Sequence, residues 1–95
     1  MALLIKVDGT RQEVKGSKPN GGLTWDEIRA LLQCQMLQPV TCDSKVTGGY
    51  TLFYCDEEGK LQGKPVNHAA TKLSTHTMVG DYLVGDVLFC KRGDK

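Results

Sequence analysis

Residues 64 to 73 read KPVNHAATKL and gather the side chains best suited to holding an anion. Lys64, His68 and Lys72 carry or can take positive charge, and Asn67 and Thr71 offer neutral donors. A helix starting after Asn67 would add unpaired backbone N–H groups at its first turn. A phosphate or carboxylate on a nucleotide or other small molecule is what such a set would take, although the glycine-rich loop that usually lets a phosphate approach is missing. The same residues also read as scaffold. Asn67 stands where an N-cap should stand, with its side-chain carbonyl able to accept the N–H of Ala69 or Ala70, while Pro65 and Val66 keep the chain extended before it. The helix so begun, His68 to Leu73, is too short to persist alone and must be held by packing through Ala69, Ala70 and Leu73.

Other reactive residue types are sparser. VGDYL at 79 to 83 and VGDVL at 84 to 88 repeat a Gly-Asp pair. Asp81 and Asp86 would share a face of a strand, as a paired-carboxylate site needs, only if Gly85 formed a bulge, and a metal-assisted hydrolase would use Asp81 or Asp86 with a histidine. Otherwise Gly-Asp is a kink, and Leu83, Val87 and Phe89 fill a core; this reading is adopted. Asp56, Glu57 and Glu58 read as a solvated hairpin tip. Ser74, Thr75 and His76 are neighbours that an extended chain points to opposite sides, with no carboxylate to orient the histidine. Cys34, Cys42, Cys55 and Cys90 contain no C-x-x-C pair, so they read as small buried hydrophobes, not metal ligands. No catalytic residue, metal or cofactor is expected.

The elements that must position these residues are marked by changes of period. Leu3, Ile5 and Val7 alternate with Leu4 and Lys6, Asp8-Gly9 supplies a turn, and Arg11, Glu13 and Lys15 alternate with Gln12 and Val14, which predicts a hairpin. Its polar face, mixed in sign, reads as solvated. GSKPNGG, residues 16 to 22, is a loop. Thr24 and Glu27 then form a capping box, and Leu23, Ile28, Leu31 and Leu32 follow helical spacing, predicting an amphipathic helix from about Trp25 to about Cys34. Trp25, the only tryptophan, is either a core lid or an exposed contact at the first turn, and the core role is adopted. Met36 to Cys42 is a strand that Pro39 restricts to an edge or a bulge. YTLFYC, residues 50 to 55, is apolar on both faces, so Tyr50, Leu52, Phe53 and Tyr54 are either covered twice or offered as an interface for self-association. DEEGK should then return the chain through Lys60, Leu61 and Gln62 as a hairpin.

The chain has 95 residues, enough for a single domain, 1–95. With 40% apolar and 24% charged residues it is a folded domain and not a disordered tail. Twelve Lys and Arg against 11 Asp and Glu leave a net charge of +1, so no overall field draws it to nucleic acid or an anionic membrane. Ala2 to Ile5 is interrupted by Lys6 and Asp8, short of an export-signal core, and a cytoplasmic location with reduced thiols is expected.

The order EEGKL (57 to 61), PVNHAATKL (65 to 73) and DYLVGDVLF (81 to 89) resembles a family of small domains of unknown function encoded by bacteriophages and bacterial mobile elements. In that family a strand and acidic hairpin precede an Asn-x-x-Ala-Thr segment, and an Ile/Val-Gly-Asp-Val strand closes the chain. Asn67, Ala70, Thr71, Gly85 and Asp86 match the pattern. The resemblance implies a phage or prophage setting in the cytoplasm of a host bacterium, and no reaction.

The expected architecture is α+β: a small, mainly antiparallel sheet of about five or six strands with one amphipathic helix and one short helix. The expected function is a non-enzymatic accessory protein that binds a bacterial host protein or itself. A small-molecule or nucleotide module built on Lys64, Asn67, His68, Thr71 and Lys72 is the second class, and a metal-assisted hydrolase the third.

Overall fold

The alternating first segment forms the expected hairpin. The structure, a computed structural model, describes residues 2–19, 22–41, 49–59, 61–73 and 83–91. Strand β1 (Ala2–Ile5) pairs antiparallel with β2 (Arg11–Val14), with Leu4 opposite Gln12. The Gly9 N–H closes the turn on the Lys6 carbonyl at 2.9 Å. Hydrogen bonds from the Thr10 side chain and N–H hold the Asp8 carboxyl below its ordinary range. Beyond β2 the chain doubles back, the Lys18 N–H meeting the Gly22 carbonyl at 3.1 Å. A Cβ at Gly16 would run into that same carbonyl, so only glycine fits there.

Helix α1 (Trp25–Leu32) starts at the expected capping box: the Thr24 hydroxyl accepts the Glu27 N–H (3.2 Å) and the Glu27 carboxylate accepts the Thr24 N–H (2.9 Å). It stops short of Cys34 because Gln33 turns left-handed, at φ 51 and ψ 50, and the Cys34 N–H returns to the Arg29 carbonyl at 3.2 Å. Ile28 and Leu32 are buried with Leu23, as their spacing predicts. Trp25 is not core: it is 54% exposed.

Strands β3 (Leu37–Thr41), β4 (Leu52–Asp56) and β5 (Val87–Cys90) complete an antiparallel five-stranded sheet of order β2-β1-β5-β4-β3, with helix α2 (His68–Leu73) between β4 and β5 in sequence. The fold is α+β. Pro39 lies on an edge strand, as expected. The Glu57 N–H on the Met36 carbonyl (3.0 Å) sets the phase of the β3–β4 ladder, so residues 38 and 40 face β4 and the missing N–H of Pro39 falls on the open side.

The sheet is covered on both faces. Under α1 lie Ala2, Leu4, Tyr54, Leu88 and Cys90 with Leu23, Ile28 and Leu32. On the other face Ile5, Phe53, Cys55, Val87 and Phe89 pack with Ala70 and Leu83, and the Phe53 and Phe89 rings stand 5.2 Å apart. Each fully buried large apolar side chain contributes about 1.5–3 kcal/mol. Cys55 and Cys90 fill these two layers as buried thiols, and Leu83, Val87 and Phe89 occupy the core role read from the Gly-Asp repeat. Cys42 lies outside the described residues.

Two expectations are resolved. Of the two readings of YTLFYC the covered one is seen: β4 is an interior strand, Phe53 and Tyr54 are buried within one chain, and Tyr50 and Leu52 are half-buried against the two cores. The described residues after β4 do not open a hairpin: the Gln62 N–H bonds the Glu58 carbonyl (3.0 Å) and the Lys64 N–H the Gly59 carbonyl (3.0 Å), while Lys60 lies outside the described residues. Among the described residues no helix is long and apolar enough to cross a membrane.

Candidate functional site

Asn67 caps α2 as its position predicts, with its side-chain oxygen accepting the Ala70 N–H at 3.0 Å. It does more than cap. Its amide nitrogen donates to the carbonyls of Ile5 (2.8 Å) and Gly85 (2.9 Å), and its backbone N–H donates to Leu83 (2.7 Å). The side chain is 0% exposed. One amide thus joins β1, α2 and the approach to β5, leaving none of its donor or acceptor atoms for a ligand. Thr71 extends the same network: its hydroxyl donates to the Asn67 carbonyl (2.8 Å) and accepts the Leu83 N–H (2.8 Å).

The approach to β5 is shaped to fit this centre. Gly85 takes a left-handed φ of 71°, its N–H bonds the Pro65 carbonyl (2.8 Å), and Val84 pairs with Val66 in an isolated antiparallel bridge. The Asp86 carboxylate accepts the Val7 N–H at 3.0 Å. Gly85-Asp86 is therefore the kink before a strand. Asp81, with Ser74, Thr75 and His76, lies outside the described residues.

Lys64 is likewise engaged within the chain. Its ammonium is 2.6 Å from the carboxylate of Asp56 and reaches the Leu32 and Gln33 carbonyls at 3.3 and 3.4 Å, where α1 ends. A cation at a helix C-terminus also meets the negative end of its dipole. The reading of Asp56 as part of a solvated tip is corrected, because its side chain is 2% exposed and its other carboxylate oxygen accepts the Glu58 N–H at 2.9 Å. The chain turns inward after β4 to place this pair. Only His68 and Lys72 of the expected ligand set present exposed side chains, one turn apart on α2.

The α1 layer differs. The Trp25 ring stands edge-on to the buried Tyr54 ring, with centroids 5.6 Å apart and planes at 78°. Lys18, Leu23 and Ile28 join the two aromatics around a depression of about 290 Å³. Burial pushes the Tyr54 phenol up from its ordinary pKa. On the far flank of α1 a groove of about 540 Å³ runs between the helix and β2, lined among others by Val14, Leu23, Ala30 and Leu31. Glu27 braces this corner by accepting both the N–H (3.2 Å) and the hydroxyl (3.0 Å) of Ser17, and the N–H groups of Thr24 and Ser17 hold its carboxyl below the usual range. At the other end of α1, burial raises the Cys34 thiol, with the Asp56 charge adding to the effect.

Sequence reasoning missed the exposed Trp25 corner, and a lone aromatic at a first helical turn carries no sign of which way it faces. A family model, Domain of unknown function (DUF3846), matches residues 1–95. The chain belongs to the DUF3846 family. No curated protein and no solved structure matches it. In this DUF3846 chain, Asn67, Ala70, Thr71, Gly85 and Asp86, the residues that carried the resemblance, all take part in the hydrogen bonding around Asn67 or beside it. Among the described residues no three His, Cys, Asp or Glu side chains are grouped to hold a metal.

Proposed function

We propose that this DUF3846 domain is a non-enzymatic binding protein that grips a protein of a bacterial host through the Trp25 corner of its α1 layer. The observation that carries the reading is the exposed tryptophan, 54% open to solvent and propped edge-on against Tyr54 over a shallow depression. Large aromatic anchors beside a pocket are the side chains from which binding surfaces draw most of their affinity. The setting in a bacteriophage or mobile element, and in the host cytoplasm, is supported by the resemblance of the C-terminal half. The test compares capture of host proteins by the wild-type chain, by Trp25→Ala and by His68→Ala/Lys72→Ala. The reading expects a partner that Trp25→Ala loses and the double variant keeps. The reverse pattern would overturn it.

A small-molecule or nucleotide reading keeps one favourable observation, the exposed His68 and Lys72 at the start and end of one turn of α2. A thermal-shift screen with nucleotides and inorganic phosphate addresses it, since a ligand at 100 times its Kd adds about 2.7 kcal/mol. A shift abolished by His68→Ala/Lys72→Ala would favour capture of a small molecule over binding of a protein.

A further inference from the structure

The two edges of the sheet differ in what they offer a neighbour. On β3 the outward positions are 37, 39 and 41, and proline at the middle one removes the donor that an added strand would need. On β2 the Lys6 N–H bonded to the Thr10 carbonyl (2.9 Å) sets the ladder phase, so residues 10, 12 and 14 face β1 while Arg11 and Glu13 turn both their N–H and C=O outward. Arg11, Gln12 and Glu13 are exposed. The outward side of β2 is thus an intact strand edge carrying one cation and one anion at alternate positions.

We propose that β2 is the docking edge for a second copy of this chain, paired antiparallel about Gln12 so that Arg11 of each copy lies opposite Glu13 of the other. Charge selects this register. A pairing centred on residue 11 would set Arg11 against Arg11, and one centred on residue 13 would set Glu13 against Glu13. Within β2 (Arg11–Val14), only the pairing centred on Gln12 brings opposite charges together twice; the pairing centred on Val14 would need Lys15, which lies beyond the strand. The arrangement is isologous, as a two-fold dimer requires. Side chains opposite each other across an antiparallel pair share a face, so both α1 helices stand on one side of the joined sheet. The two grooves lined by Val14, Leu23, Ala30 and Leu31 then face each other across the axis, adding apolar area that a bare strand pair would lack. The Trp25 corner lies on the opposite flank of α1, toward Tyr54 on β4, and stays open in both copies.

The test is mass in solution for the full chain and its charge-swap variants, with circular dichroism to show that each folds. The wild type should sediment at twice the 10.4 kDa of one chain. Arg11→Glu alone and Glu13→Arg alone each place like charges opposite one another twice and should weaken dimerisation by about tenfold or more. The double swap Arg11→Glu/Glu13→Arg should restore it. An equimolar mixture of the two single variants should dimerise better than either alone, because each supplies the charges the other lacks. A wild type that remains monomeric at roughly millimolar concentration, where only a Kd well above 1 mM escapes detection, would overturn the proposal. So would single variants that dimerise as well as the wild type.

Discussion

The two layers that sandwich the sheet place their polar groups in opposite ways. In the α2 layer Asn67 and Thr71 are bonded to backbone from three parts of the chain. In the α1 layer the start of the helix is closed locally, by the capping box and the Ser17 brace, Lys64 paired with Asp56 reaches the end of the helix from 32 positions away, and an aromatic side chain is left facing solvent. The lesson is that residue types suited to chemistry also suit the closing of a small fold. A domain of this size buries only about 60–65% of its unfolded surface and gains from each polar cross-tie that leaves no orphan.

This contrast can be broken most forcefully at Asn67. Asn67→Ala strands the Ala70 N–H and removes a donor from both the Ile5 and Gly85 carbonyls, each buried polar group costing about 1–3 kcal/mol, so urea unfolding should show a loss of about 4 kcal/mol or more. A loss under about 1 kcal/mol would mean that the network is incidental. Lys64→Met comes next: it leaves the buried Asp56 carboxylate without its cation and should cost about 2 kcal/mol, reduced from the fully buried case because Lys64 keeps some solvent contact. Adding Asp56→Leu should recover part of that loss, which a double-mutant cycle would resolve.

Effects at the start of α1 should be smaller. Thr24→Ala removes the cap and should cost about 1 kcal/mol. The folded pKa of Glu27 lies below its unfolded value, so its contribution is complete above the unfolded value near 4.5 and is lost as pH falls through the folded one. Glu27→Gln should therefore flatten the acid limb of the stability curve while leaving the limb above about pH 6 parallel to wild type. Trp25→Ala should change stability least, by under about 1 kcal/mol, while abolishing capture of the partner.

Much of the fold was legible because its signals are local. The capping box at Thr24 and Glu27, the Asp8-Gly9 turn, the Pro39 edge and the Asn67 cap are each decided within a few residues, and each stands where the pattern placed it. What was not legible depends on distant partners. The Asn67 amide meets Ile5 from 62 positions away, and the Lys64 ammonium meets the Leu32 carbonyl from 32. No spacing rule marks such a meeting in one sequence. The Asp56 turn failed for the same reason: DEEGK has the composition of a hairpin tip, but the pull of Lys64 on a buried carboxylate lies outside any short window. Trp25 was read as core although nothing local fixes its direction, and above the Tyr54 edge it is 54% exposed.

The closed start of α2 is tested most directly by amide hydrogen exchange at Ala70, whose N–H meets the Asn67 side chain. Exchange only through global unfolding, unaltered by added phosphate, is the predicted result. Rapid exchange in the native state, or protection that appears only when phosphate is present, would contradict it.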